Sequence, residues 1–207
     1  EHNELPLIRF TITLNGGLLF DDPEKVGVAN LMTDIMMEGT KNKTPVELEE
    51  AIDELGASIS MLTSRHSIVL TANTLVSRVD ETMTLAKEIL LEPRWDEKEF
   101  DRIKKQTIEG INRSKVNPNA ISSNVFRKLV YGENHIYSNA TSGSAESVEE
   151  ITIDDLKNFY DKNFSPSISY ITIVGDIPQA EAIQLFKPLE KAWAAKEVSI
   201  PEYPLPQ

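Results

Sequence analysis

The stretches ASISMLTS (57–64) and HSIVLTANTL (66–75) both read as strands, and only a short polar turn near Ser64 and Arg65 separates them. Alternation at every second position marks a strand with one buried face. A connection this short joins antiparallel neighbours, because a parallel crossover needs a dozen or more residues. The chain therefore carries a hairpin near its middle, which disfavours a doubly wound parallel sheet. Two further stretches complete the strand set. LIRFTITL places Ile8, Phe10, Ile12 and Leu14 on one face, and SISYITIVGDI (167–177) is rich in β-branched residues.

The rest of the chain is helical in period. A first helix spans about 25–38, with Val26, Ala29, Leu31, Met32, Ile35 and Met36 as its apolar surface and Gly39 as its stop. Thr44, Pro45 and Glu47 form the opening of a second, which Gly56 ends. A third covers 78–91, before Pro93. Asp96 with Glu99 starts a fourth that runs to about 115. Asn117 and Pro118 open a fifth that stops at Gly132, Thr152 and Asp155 a sixth to about 162, and Pro178 a last one to near Trp193. GENHIYSNATSGS (132–144) reads as a loop. The order β-α-α-β-β-α-α-α-α-β-α predicts an α+β fold: one mixed, mostly antiparallel sheet covered by helices. The expected organisation is a single domain over 1–196 with a Pro-rich linker over 197–207, in a chain that reads as one domain of a longer protein.

Composition narrows the function. The formal charge is −12, which repels phosphate backbones and anionic membrane surfaces, so neither nucleic acid nor a membrane is an expected partner. No apolar run reaches the ~20 residues that span a bilayer. There is no cysteine, which excludes disulfides, thiolate metal sites and a cysteine nucleophile. That absence leaves the compartment open, with a bacterial periplasm or cytoplasm as the expectation.

One helix carries polar residues where chemistry could sit. In GVANLMTDIMMEGT, Asn30, Thr33 and Asp34 stand at i, i+3 and i+4 and share a helix face. That spacing can offer two metal ligands and a catalytic acid, yet none of the three is His or Glu. His2, His66 and His135 are scattered and form no ligand cluster, with His135 and Tyr137 expected to pack their own loop. Ser142, Gly143 and Ser144 lack the context of a nucleophile turn, and GDI after the last strand lacks a glycine-rich fingerprint.

The ordered set of segments resembles the insulinase/pitrilysin-like zinc peptidases, the inverzincins. The resemblance runs through LPL, GG, DDP and GVANLMTDIMMEGT, then LEEAIDELGASIS, NPNAISSNVFRKLVYGENHIYSNATSG, ITIDDLKNFYDKNFSP and ITIVGDI, nearly the whole chain. Catalytic members carry H-x-x-E-H before a Gly-Thr pair. Placing Gly39-Thr40 on that pair puts Asn30 and Asp34 at the two histidines and Thr33 at the general base. The last ligand, a Glu ahead of an Asn-Pro turn, falls on Gly110. The resemblance thus implies a non-catalytic domain that binds no zinc itself. Its partner would be a zinc-bearing homologous domain or subunit, and together they would close a chamber over a peptide substrate. A substrate-holding Arg/Tyr pair of the family is expected beyond residue 207. The alternative is a proteolytically inactive scaffold that keeps the fold.

Overall fold

The computed structural model describes residues 6–203. Four strands, β1 (Leu7–Asn15), β2 (Ser58–Thr63), β3 (Ser67–Leu75) and β4 (Ser169–Gly175), form one sheet in the order β2-β3-β1-β4. Every pairing is antiparallel, so the sheet has no parallel member among the described residues. Eight helices accompany it: α1 (Val28–Met36), α2 (Pro45–Glu54), α3 (Val79–Leu91), α4 (Glu97–Ser114), α5 (Pro118–Tyr131), α6 (Ala145–Glu149), α7 (Ile153–Asn163) and α8 (Gln179–Ala192). The fold is α+β, as the strand and helix periods imply.

The alternation in β1 explains its central place. Ile8, Phe10, Ile12 and Leu14 are buried, while Leu7, Arg9 and Asn15 on the opposite face are exposed. Phe10 stands opposite Ala72 of β3 and Ile173 of β4, and its ring meets Phe186 of α8 edge-on at 5.6 Å. The same apolar cluster takes in Leu31, Met32, Ile35 and Met36 of α1 and Met83, Ala86, Ile89 and Leu90 of α3. α1 and α3 therefore bank on one face of the sheet and bury their apolar stripes against it.

Local capping sets most helix starts. Thr44 and Glu47 form a reciprocal capping box on α2, as do Thr152 and Asp155 on α7. Asp96 accepts from the backbone N–H groups of Lys98 and Glu99, and Asn117 from that of Asn119. α1 is shorter than its apolar pattern suggests. It begins after Gly27, whose φ of 116° lies in the left-handed region, so 25–27 is turn rather than helix. The loop before residue 144 contains a 3₁₀ turn at Ile136–Ser138, and the short α6 follows it, capped by Ser144 and Ser147. The expected linker has no regular structure over 197–203, where Tyr203 donates to the Leu19 carbonyl at 3.1 Å. Its last residues, 204–207, lie outside the described residues, as does His2.

Candidate functional site

The site grows from the start of α1. Asp21 is buried and accepts from the backbone N–H groups of Gly27 at 2.8 Å and Ala29 at 2.9 Å. These are donors that the first turn of a helix leaves unsatisfied, so Asp21 caps α1 from outside it. Burial pushes its carboxyl up to about 7, against the two backbone hydrogen bonds that favour the charge and with a further push from Asp22.

The three polar residues of α1 separate once the helix is packed. Thr33 is 1% exposed. Its hydroxyl donates to the Asn30 carbonyl at 2.8 Å and lies 3.0 Å from the hydroxyl of Thr63 in β2, which itself reaches the Ala29 carbonyl at 3.0 Å. Both hydroxyls thus have a backbone acceptor within the pair of elements they join. Asn30 and Asp34 are half-buried, and the Asn30 side-chain amide donates to Asp34 Oδ2 at 2.9 Å.

Asp34 opens into a cleft of about 380 Å³ shared with Met37, Glu38, Ile103, Gln106 and Thr107, between α1 and α4. Burial raises its carboxyl to about 6, and the charge of Glu38, just past the end of α1, adds to the rise. Glu38 is itself held 2.7 Å from Arg102, which also engages Glu99 at 2.6 Å. Gly110 lies on α4, one turn beyond the residues that line the cleft. A Cβ built there meets nothing within 4 Å. Among the described residues, no three His, Cys, Asp or Glu side chains converge as a metal site would require.

β2 runs beside α1 as one edge of the sheet, and Ser58, Ser60 and Leu62 point outward along it. β4 is the other edge, with Tyr170 and Val174 exposed. His66 and Tyr137 meet at 3.1 Å, and His135 stacks on Tyr131, so these residues form an aromatic cluster at the hairpin turn. Gly143 has φ 74°, and Ser144 caps α6, which gives that segment a structural part.

Three residues escaped the sequence reading. Glu38 stands at i+4 from Asp34, a spacing that was available. Asp21 and Thr63 act across loops and left no local signal.

A helix-backed antiparallel sheet with the polar residues of α1 beside an edge strand makes this an α+β domain. Residues 6–139 match the profile of the insulinase family, peptidase family M16, and residues 150–207 match that of the peptidase M16 inactive domain. The chain belongs to the insulinase family. Among solved structures it is similar to a peptidase M16 inactive domain from Pseudomonas fluorescens, with a TM-score of 0.91 and 25% identity over 99% of this chain and 50% of that one. The fold is shared with the periplasmic protease PqqL from Escherichia coli, at a TM-score of 0.88 and 19% identity, over 100% of this chain and 24% of that one. A curated relative, the non-peptidase homolog YmxG of Helicobacter pylori, is 24% identical over 177 residues, 86% of this chain and 41% of the relative. The chain thus spans half or less of the length of these proteins. Among its described residues no helix is long and apolar enough to cross a membrane.

Proposed function

We propose that this chain is a non-catalytic domain of an insulinase-type peptidase, forming part of a substrate chamber with a zinc-bearing homologous domain or subunit that cleaves peptides. The observation that carries the reading is Thr33. A zinc hydrolase needs a base beside its metal-bound water. At the position that the family's general base would take, this chain has a core hydroxyl committed to Asn30 and Thr63. A zinc site also needs three protein donors and one open position. Asp34 offers one carboxylate, Asn30 turns an N–H toward it, and Gly110 has no side chain. The residues do not fit zinc.

Two surfaces support a homologous second half as the partner. β4 presents an apolar sheet edge. α5 buries none of its residues and leaves Val125, Phe126 and Leu129 51%, 65% and 80% exposed. Apolar surface of this extent marks a contact surface, and relatives at least about twice as long have a further portion that could cover it. The name of the Helicobacter relative supports the second reading, a proteolytically inactive scaffold.

The full-length protein tests the choice. Its zinc content is measured before and after Asp34→Asn, and peptide cleavage is assayed with and without a homologous H-x-x-E-H protein. We expect zinc content to be unchanged by the substitution, and cleavage to depend on the H-x-x-E-H motif, in the same chain or supplied in trans. Loss of zinc on Asp34→Asn would overturn the reading. Absence of cleavage in every combination would select the scaffold.

A further inference from the structure

β4 and α8 leave the apolar core open on one side. Ile171 and Ile173 stand opposite Ile12 and Phe10 of β1, so they lie on the face of the sheet that carries the core. Phe10 and Ile12 are fully buried, yet Ile171 is 40% exposed and Ile173 only half-buried. Beside them lies a groove of about 500 Å³, with Ile183, Phe186, Leu189 and Trp193 of the α8 segment as its other wall. Ile183 is 56% exposed. Among the described residues that line the groove, Glu190 alone is charged. The opposite edge of the sheet is finished by contrast. On β2, Ile59 and Thr63 are buried, and Thr63 donates to the Ala29 carbonyl of α1.

The backbone of β4 is open as well. Among the described residues it pairs only with β1, and a strand turns alternate N–H and C=O groups toward its other edge. Sheet edges are ordinarily blunted by charged side chains or proline. The sequence SYITIVG of β4 carries neither.

We propose that an extended segment from the remainder of the full-length chain adds to β4 as a further strand and lays its apolar side chains in the groove. A strand suits the place on two counts. Its backbone satisfies the open groups of β4, and every second side chain falls on the core face beside Ile171 and Ile173. The size of the contact favours a tethered occupant. A strand paired along the seven residues of β4 is about 23 Å long, and it covers less than the ~1,200 Å² that a stable interface between separate proteins buries. A tether makes up the difference, because it holds the segment at an effective concentration in the millimolar range. A second copy of the chain is the poorer occupant, since each copy brings a charge of −12. The relatives supply the length, because this chain spans 50% of the Pseudomonas protein and 41% of the Helicobacter one. The inference rests on the proposed function in one respect, that the full-length protein has a further portion. It does not need that portion to bear zinc.

Ile183→Cys in the full-length protein tests the groove. The 207 residues contain no cysteine, so the new thiol is followed by mass spectrometry of its own peptide during reaction with N-ethylmaleimide. We expect it to react at least about tenfold more slowly than glutathione at the same pH, at a rate independent of protein concentration, because it is reached only when the covering strand opens. Hydrogen exchange resolved to single amides should show protection at every N–H of 170–174, including those that point away from β1. Reaction at the rate of glutathione would overturn the proposal. So would protection that fades on dilution, which marks a second copy, or protection that appears only when a peptide is added. Free exchange at the N–H groups that point away from β1 would also overturn it, since the cover would then not be a strand. A slow thiol and protected amides in a protein that cleaves no peptide with any partner would leave the added strand standing and remove the chamber reading.

Discussion

Asp34→Asn isolates the electrostatics of the cleft. The folded protein raises this carboxyl from 3.8 to about 6, chiefly by burial. The native state therefore holds the proton more tightly than the unfolded chain. Below the unfolded value both states are protonated and the group contributes nothing. As pH rises through the window between the two values, the unfolded chain ionises first and stability falls. Above about 6 the full cost of the buried charge is present. At ~1.4 kcal/mol per unit, a rise of about two units corresponds to up to about 3 kcal/mol, less the part screened by water reaching a half-buried group. Asparagine has the same shape, cannot ionise, and can still accept from the Asn30 amide. The variant should match the parent near the unfolded carboxylate range and exceed it by up to about 3 kcal/mol at mildly alkaline pH. Urea unfolding followed by circular dichroism across that range gives the difference curve. The contribution of Asp21, raised to about 7, is common to both proteins and cancels. A flat difference, or a variant that is less stable above neutrality, would refute the argument. The second result would mean that a cation or a donor holds the Asp34 carboxylate in its charged form.

Two glycines should respond in opposite directions to alanine. Gly143 has φ 74°, and its Cβ would lie 2.1 Å from the Val26 carbonyl, so Gly143→Ala should cost roughly 2–4 kcal/mol in thermal unfolding. Gly110 is inside α4 with open space around it, so Gly110→Ala should stabilise by up to about 1 kcal/mol. Thr33→Val and Thr63→Val should each cost about 1 kcal/mol, and a double-mutant cycle should show coupling of at least about 0.5 kcal/mol, because the hydroxyls share one buried network. Glu88 accepts from Lys43 at 2.8 Å and from Thr40 and Asn42. Its partial burial works against the charge, but these bonds outweigh it and hold the carboxyl low. Glu88→Gln should therefore cost roughly 1–3 kcal/mol at neutral pH, and the deficit should shrink as the parent protonates on acidification.

What the sequence determined by itself is what short-range physics decides. Alternation in LIRFTITL placed Ile8, Phe10, Ile12 and Leu14 inward, and the short turn at 64–67 made β2 and β3 a hairpin. Thr44, Asp96, Asn117 and Thr152 cap the helices they were expected to open, because a cap bonds two or three residues away. The ordered segments also carried the family resemblance. The tertiary structure decided whatever depends on partners distant in the chain. It set the strand order, with β4 closing onto β1 from more than 150 positions away. It began α1 at Val28, because Asp21 folds back to cap it across the Gly27 turn. It also divided the one polar face of α1. Asn30, Thr33 and Asp34 share a spacing, but β2 takes the Thr33 hydroxyl into the core while Asp34 opens into the cleft with Glu38.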